Sequence, residues 1–375
     1  GVNGVEFADW DNPETRQRLY REMSGVVQDL ANHPSLVMWY LSVNFISNNY
    51  HPLCMNEPVW TPEKRAQFQV MEQGAAILRK LDPDRPWFYQ SGGAFSPIIN
   101  SNTYFCWWPQ AERRAWAQEW SRIGSKPLHV IETAFPYIRS FEGMSPGLFD
   151  VDKIRFYFED CARYFGNAAY DSSEQDLLHA AQISRYGQEV GHFDERARRS
   201  RLLMKLKAYL ISDTIPAWRI SGVSGICPFA EYEFSFDRRV VKEPLKERQV
   251  TDHRRIGWQP DRVSNVDAGC RNAPLPPFFA LQYSFAPRAA YLIGEPDYPF
   301  SQAGNYWSGD RLRRQLAVCS NLPYSLPWRA RITLREAEGE NEIGRCELSG
   351  TLEPGGETCV PFEMTLPRVS SRHTL

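Results

Sequence analysis

The sequence predicts an α/β region built on a parallel sheet, followed by an all-β region at the C-terminal end of the 375-residue chain. Over roughly the first 235 residues, segments of helical periodicity alternate with continuous apolar runs of strand length. This alternation is typical of strands that are buried on both faces and joined by helical crossovers. From about Pro276 onward, the apolar residues fall in short alternating segments separated by turn residues, which favours an antiparallel sandwich.

The first cycle of the α/β region is a helix, a strand and a second helix. A helix is expected over Pro13 to Asn32, because Asn12 can cap it and Pro13 suits its first position. The run SLVMWYLSVN then predicts a strand. Thr61 to Leu81 is expected to form the next helix, with Thr61 as its cap, and the turn LDPDRP follows it.

The same alternation continues through four further strands. They are predicted over PWFYQSG, NTYFCWW, KPLHVIETAF and VSGICPF. The helices between them are expected over Gln110 to Ile123 and within a tract from Asp152 to Asp213 that is broken near Gly166 and Gly191.

The region after Asp237 changes in texture. The charged stretch RRVVKEPLKERQVTDHRR has no apolar period and is typical of a solvated loop. We therefore expect one domain over residues 1–245, a linker over 246–275 and a β-sandwich of the immunoglobulin type over 276–375.

Composition excludes several classes of function. The net charge of -2 gives no basic surface for nucleic acid, and no run of 18 apolar residues suggests a membrane span. The eight cysteines are scattered without a CxxC pair, so neither a zinc site nor any other metal or organic cofactor is implied. The opening GVNGVEFADW resembles an interior segment more than a translation start or a signal peptide.

Glu132 is the most unusual residue at the predicted strand ends. In a (β/α)8 barrel, functional side chains lie at the carboxyl ends of the strands, and the strands here end near Asn44, Gln90, Trp108, Glu132 and Phe229. HVIETAF places a carboxylate directly after an apolar strand, where a charge is costly unless it is paired or used. Glu132 is therefore either a catalytic candidate or a surface residue on a strand that ends one position early.

Two motifs resemble the barrel of family 2 glycoside hydrolases, which belong to clan A. NHPSLVMWYLSVN resembles the fourth strand of that barrel, KPLHVIETAF resembles its seventh, and LDPDRP resembles the turn before its fifth. The resemblance implies a partial (β/α)8 TIM barrel of about strands four to eight. It also implies that the N-terminal remainder of the same barrel lies upstream of Gly1. In such an enzyme Glu132 would be the nucleophile, Asn44 would bind the sugar 2-hydroxyl, and a periplasmic or secreted bacterial location is favoured.

The sequence departs from this family at one position. The family places its general acid/base Glu directly after the strand-four Asn, but Asn44 is followed by Phe45. A retaining glycosidase needs a second carboxyl group about 5–5.5 Å from the nucleophile. That carboxyl group could come from Glu57 in the following loop or from Glu231 or Glu233 after strand eight. Otherwise it is absent, and the protein binds glycans without cleaving them.

Other residues near the predicted strand ends are candidates for substrate binding. Tyr104, Trp107 and Trp108 present aromatic faces suited to sugar rings, although some could instead pack beneath the helix that carries Trp116 and Trp120. Arg139 could pair with a carboxylate or sulfate on the substrate. His51 could donate a proton near neutral pH, but a histidine in such a loop is more often simply exposed.

The function that these expectations favour is hydrolysis of O-glycosidic bonds in a β-linked, galactosidase-type oligo- or polysaccharide. The alternative is a catalytically inactive barrel that binds carbohydrate. In either case the expected partner is a carbohydrate, with no role for nucleic acid or a membrane.

Overall fold

The fold of the protein was obtained as a computed structural model. The residues that it describes are 12–41, 62–90, 92, 95–103, 110–133, 162, 165–167, 201–228, 236–237, 273–300, 304–336 and 341–371. The chain divides into two compact units. Unit 1 comprises Gly1–Trp107, Trp120–Leu210 and Val223–Phe279, and unit 2 comprises Trp108–Glu119, Ile211–Gly222 and Ala280–Leu375.

Helices and strands alternate in the first part of the chain, and strands dominate the last part. The helices described are α1 (Pro13–Leu30), α2 (Pro62–Leu81), α3 (Gln110–Ile123), α4 (Arg201–Arg219) and α5 (Pro276–Ser284). The strands described in the first part are β1 (Trp39–Tyr40), β2 (Trp87–Phe88), β3 (Ile99–Asn102), β4 (Leu128–Thr133), β5 (Gly225–Pro228), β6 (Phe236–Asp237) and β7 (Ala273–Pro274). Those of the last part are β8 (Arg288–Ile293), β9 (Arg311–Ser320), β10 (Leu326–Arg335), β11 (Glu342–Leu352) and β12 (Glu357–Thr365).

Helix α1 begins as its sequence predicts. The Asn12 side chain accepts a hydrogen bond from the Glu14 backbone N–H, and Pro13 occupies the first turn. Leu19, Met23 and Val27 recur every four positions, and all three are buried. Met23 and Val27 belong to a core that also includes Trp39 and Leu41 from around β1, Met71, Ala75 and Leu78 from α2, and Trp87 and Tyr89 from around β2.

Five of the described strands pair in parallel, in two sheets. β1 pairs with β2, and β4 lies between β3 and β5 in a three-stranded sheet. Together with helices α1, α2, α3 and α4 this is the α/β pattern expected for about strands four to eight of a barrel. The described strands form no closed barrel.

Two boundaries in this region differ from the expectation. Near the strand expected over NTYFCWW, β3 runs from Ile99 to Asn102, Thr103 lies outside a strand, and residues 104–108 lie outside the described part. The sequence INSN of β3 is fully buried but has only one apolar residue, so no apolar run marks its start. Helix α4 continues to Arg219, beyond the expected end at Asp213, because Ile215 and Trp218 extend its buried face.

The C-terminal region contains two antiparallel sheets. One has the order β12–β9–β8, and the other is the β10–β11 pair. Leu316 and Val318 of β9 pack with Leu352 of β11 and with partly buried residues of β10, so strands of both sheets share a core. An immunoglobulin-like topology remains a prediction.

The strands of this region start later than the sequence suggests. Pro276–Ser284 forms helix α5, and the first strand after it begins at Arg288. The pair Pro276 and Pro277 suits the first turn of a helix, and this signal favours a helix over the short strand expected there. Ala273–Pro274, within the expected linker, pairs with Phe236–Asp237, and residues 246–272 lie outside the described part. None of the described helices combines the length and the apolar character needed to cross a membrane.

Candidate active site

Glu132 lies at the carboxyl end of β4, the middle strand of the three-stranded parallel sheet in unit 1. On β3, Ser101 pairs with Val130 and Asn102 pairs with Glu132, so Ile131 is an extra residue on β4. Residues paired across a ladder point to the same side of the sheet, and this bulge therefore puts Glu132 on the same side as Asn102. Bulges of this kind commonly turn one side chain toward a functional site.

Both carboxylate oxygens of Glu132 accept hydrogen bonds from side-chain amides. Gln90 Nε2, just after β2, donates to Oε1 in a short contact, and Asn102 Nδ2 donates to Oε2 at 3.0 Å. Gln90 and Asn102 are 5% and 3% exposed. Amide donors that contact a carboxylate favour its charged form, which is the form that a nucleophile requires.

Tyr40, at the end of β1, completes a chain of hydrogen bonds. Its hydroxyl donates to Gln90 Oε1 at 2.7 Å. The Tyr40 ring also packs against the Phe88 ring on the neighbouring strand, with ring centroids 5.5 Å apart. Side chains from around the carboxyl ends of β1, β2, β3 and β4 thus meet around one carboxylate.

A second pair of residues, earlier on β3 and β4, forms the layer beneath this group. Asn100, two residues before Asn102, pairs with His129, three residues before Glu132. Burial lowers the pKa of His129, so its imidazole is neutral at neutral pH. The His129 ring meets Phe88 edge-on with centroids 5.5 Å apart, and a side chain at Gly225 would collide with it. This layer supports the site from below but supplies no charge to it.

Glu132 affects the pKa of the Cys227 thiol on β5. Burial raises the pKa of the Cys227 thiol, and the negative charge of Glu132 raises it further. Cys227 as a whole residue is nevertheless exposed to solvent, and its sulfur is a free thiol. The thiol is therefore a natural reporter of the charge on Glu132.

This arrangement suits a nucleophile or a hydrogen-bond acceptor for sugar hydroxyls. No other carboxylate directly follows the carboxyl ends of β1 to β5 within the residues described there. A carboxylate held by two amides can attack an electrophilic carbon, or it can accept hydrogen bonds from sugar hydroxyls. In the described part of the chain, no group of three or more His, Cys, Asp or Glu side chains is arranged to hold a metal ion.

Most of the residues predicted for this site lie outside the described residues. Glu132 is described; the others, together with Phe45, are not, namely Asn44, His51, Glu57, Tyr104, Trp107, Trp108, Arg139 and Glu231. The roles assigned to them remain predictions.

Sequence analysis missed three of the side chains that surround Glu132. Gln90 was placed at a strand end but was not given a role, and Tyr40 and Asn102 were not singled out. All three lie at or next to the carboxyl ends of neighbouring strands, and this common position is the signal that could have found them.

Comparison with known proteins supports the resemblance for the barrel segment. Residues 5–156 match the family model described as glycosyl hydrolases family 2, TIM barrel domain, a range that includes β1 to β4 and Glu132. This part of the chain is thus similar to a glycoside hydrolase family 2 barrel, and the rest of the chain lies outside the match. A search of curated proteins finds no match.

Among solved structures, the chain is similar to Bacteroides uniformis beta-glucuronidase 2 covalently bound to cyclophellitol-6-carboxylate aziridine. The sequence identity is 10% and the TM-score is 0.34, and the similarity covers 96% of this chain and 38% of that chain. The chain therefore spans less than two fifths of the length of that structure.

Proposed function

We propose that the protein is a retaining glycoside hydrolase in which Glu132 is the nucleophile. The observation that carries this proposal is the setting of Glu132, a carboxylate at the rim of a parallel sheet with both oxygens held by buried amides. The family 2 barrel match over residues 5–156 includes this residue. A charged carboxylate in such a position suits covalent catalysis at an anomeric carbon.

The proposed reaction has two steps. In the first, an oxygen of Glu132 gives an electron pair to the anomeric carbon, the bond to the leaving oxygen breaks, and that oxygen takes up a proton from a general acid. In the second, water gives a proton to the same group, adds to the anomeric carbon and releases the Glu132 carboxylate. Glu57, Glu231, Glu233 and His51 are the candidates for the proton donor.

The proposed substrate is a β-linked oligo- or polysaccharide of the galactosidase type. Asn44 would hydrogen-bond the sugar 2-hydroxyl, and one or more of Tyr104, Trp107 and Trp108 would stack on a sugar ring. Arg139 would contact an acidic group where the glycan carries one.

One observation favours a second candidate, carbohydrate binding without hydrolysis. Phe45 occupies the position where the family has its acid/base Glu. Without a proton donor, an ordinary sugar alkoxide is a poor leaving group, and the first step would stall.

Substrates with different leaving groups separate these two candidates. A 2,4-dinitrophenyl β-glycoside releases 2,4-dinitrophenolate without any proton donor. A nucleophile alone therefore forms the glycosyl-enzyme from it. We expect the protein to turn over at least one member of a panel of dinitrophenyl β-glycosides that includes the galactoside. Glu132→Gln should lower this turnover at least about 1,000-fold while the protein stays folded at the assay temperature.

The matched control is Glu22→Gln, an exposed change on α1 that removes only a surface ion pair with Arg18 and should keep wild-type turnover. Because dinitrophenyl glycosides bypass the proton donor, glycans with ordinary sugar leaving groups decide between the two candidates. Cleavage of a glycan that binds by calorimetry would support the hydrolase. Binding of glycans without their cleavage, whether or not dinitrophenolate is released from the activated substrates, would support the binding-only alternative.

A further inference from the structure

We propose that Gln90 and Tyr40 are positioning residues, which together fix the orientation of the Glu132 carboxylate through the hydrogen-bond chain from Tyr40 to Gln90 to Glu132. This inference rests on the proposed function, because orientation matters most for an atom that must attack a carbon. Neither residue is assigned a role by the resemblance or by the family match.

The orientation of the Gln90 amide is determined at both of its ends. An ionised carboxylate only accepts hydrogen bonds, so the NH2 group of Gln90 must face Glu132. The carbonyl oxygen then faces Tyr40, whose hydroxyl donates to it at 2.7 Å. Turning the amide over would place its oxygen against the carboxylate. Tyr40 therefore stabilises the one amide orientation that gives Glu132 a donor.

Two donors on two different oxygens fix a carboxylate in a way that one donor cannot. Asn102 donates to Oε2, and Gln90 donates to Oε1. Together they oppose rotation of the carboxylate about its bond to Cγ, and both amides are buried. Misplacement of a reacting atom by about 1 Å can cost roughly a hundredfold in rate, so this constraint should affect catalysis directly.

Phe88 fixes the far end of the chain. The rings of Tyr40 and Phe88 lie on paired strands with centroids 5.5 Å apart, so the position of the Tyr40 ring does not depend on its hydroxyl. Tyr40→Phe therefore removes the donated hydrogen bond and keeps the ring packing. Tyr40→Phe is therefore the most conservative substitution that tests the hydrogen-bond chain.

The first experiment measures the pH profile of kcat/KM on a dinitrophenyl β-glycoside that the protein turns over. Tyr40→Phe should lower kcat about tenfold with KM within about twofold, because Gln90 loses its preferred orientation. Gln90→Glu puts a second carboxylate against Glu132, and one of two such groups takes up a proton more readily. The acidic limb of the pH profile of Gln90→Glu should therefore move to higher pH by at least about one unit.

Exposed residues of the same type provide matched controls for both changes. Tyr20→Phe on α1 and Gln73→Glu on α2 should leave the profile unchanged. A wild-type profile and kcat in both Tyr40→Phe and Gln90→Glu would overturn the proposal.

The second experiment does not depend on turnover. If Gln90 links Tyr40 to Glu132, the losses of melting temperature caused by Tyr40→Phe and Glu132→Gln should not sum in the double variant. The pair Tyr20→Phe with Glu132→Gln should be additive.

The two experiments separate the two proposals. Non-additive losses in a protein without turnover would retain the hydrogen-bond chain and reject the proposed function. Additive losses in an active protein would reject the positioning role and leave the nucleophile standing.

Discussion

At the scale of single residues, Glu132 is held by side-chain amides on both of its carboxylate oxygens. The donors described are Gln90 Nε2 on Oε1 and Asn102 Nδ2 on Oε2. Hydrogen bonds of this kind favour the charged form of a carboxylate. The charged form is the one that can act as a nucleophile.

The thiol of Cys227 allows the charge on Glu132 to be measured without any substrate. Since Glu132 raises the pKa of this thiol in addition to burial, Glu132→Gln should lower that pKa. A lower pKa gives a larger thiolate fraction at a pH below that pKa. Alkylation of Cys227 by iodoacetamide, followed by peptide mass mapping, should therefore be faster in Glu132→Gln than in the wild type or Glu22→Gln. An unchanged alkylation rate would mean that the charge of Glu132 does not affect the pKa of the Cys227 thiol.

Sequence reasoning could locate Glu132 but not its partners. A carboxylate after an apolar strand is conspicuous, because the cost of burying a charge makes it unusual. Asn102 faces Glu132 only because Ile131 is bulged out of the ladder, and no residue type in HVIET signals that bulge. Tyr40 lies on β1 and Gln90 follows β2, so their approach to Glu132 depends on contacts between distant parts of the chain that no local pattern signals.

At the scale of elements, the turn between α2 and β2 ties together three segments of unit 1. Arg85 Nε donates to the Leu36 backbone carbonyl at 2.9 Å, and Nη2 donates to that of Ala31 at 2.6 Å, at the end of α1. Arg85 also pairs with Asp82, which accepts from Trp39 Nε1 at 2.9 Å. A cation at the C-terminus of a helix suits the helix dipole. The LDPDRP turn thus positions β1 and β2, whose ends carry Tyr40 and Gln90.

Asp82→Asn tests this account of the turn. Burial alone would raise the pKa of Asp82, but hydrogen bonds from Trp39 and Arg85 and the charge of Arg85 together lower it. A carboxylate with a lowered pKa adds stability above its ordinary value near 3.8, and that stability is lost as pH falls through the lower folded-state value. Asp82→Asn should therefore cost about 1–3 kcal/mol at pH 7 by urea unfolding, and its deficit should shrink below about pH 4.

Asp84→Asn is the natural control for this change, since Asp84 is exposed in the same turn. It should stay within about 0.5 kcal/mol of the wild type at both pH values. Equal losses in the two variants would mean that the turn matters only as a polar segment.

Element types were easier to predict than element limits. The apolar runs around Trp39 and Leu128 mark strands because strands buried on both faces need apolar residues throughout. β3 was misplaced because Asn100, Ser101 and Asn102 are buried with polar partners, so hydrogen bonds replace the apolar signal. Pro276–Ser284 was missed because its aromatic residues also suit strands.

At the scale of the whole molecule, the described side chains around Glu132 all belong to unit 1. Tyr40, Gln90, Asn102 and Glu132 all fall in that unit, and the family 2 barrel match covers each of them. Unit 2 has its own buried polar group, in which Asp213 pairs with Arg114 and accepts from Gln110 at 2.9 Å. Burial raises the pKa of Asp213, although the Arg114 charge opposes this. The proposed chemistry requires nothing from that group.

The central claim is that Glu132 forms a covalent bond to the sugar, and mass spectrometry of a trapped intermediate tests it most directly. A 2-deoxy-2-fluoro β-glycoside with a dinitrophenyl leaving group forms the glycosyl-enzyme readily but slows its hydrolysis, because the fluorine destabilises the cationic transition state of each step. We expect the intact mass to rise by one fluoroglycosyl group and peptide mapping to place that group on Glu132. The Glu132→Gln variant should remain unmodified. A label on any other residue, or none with any sugar of the panel that the protein turns over, would contradict the account.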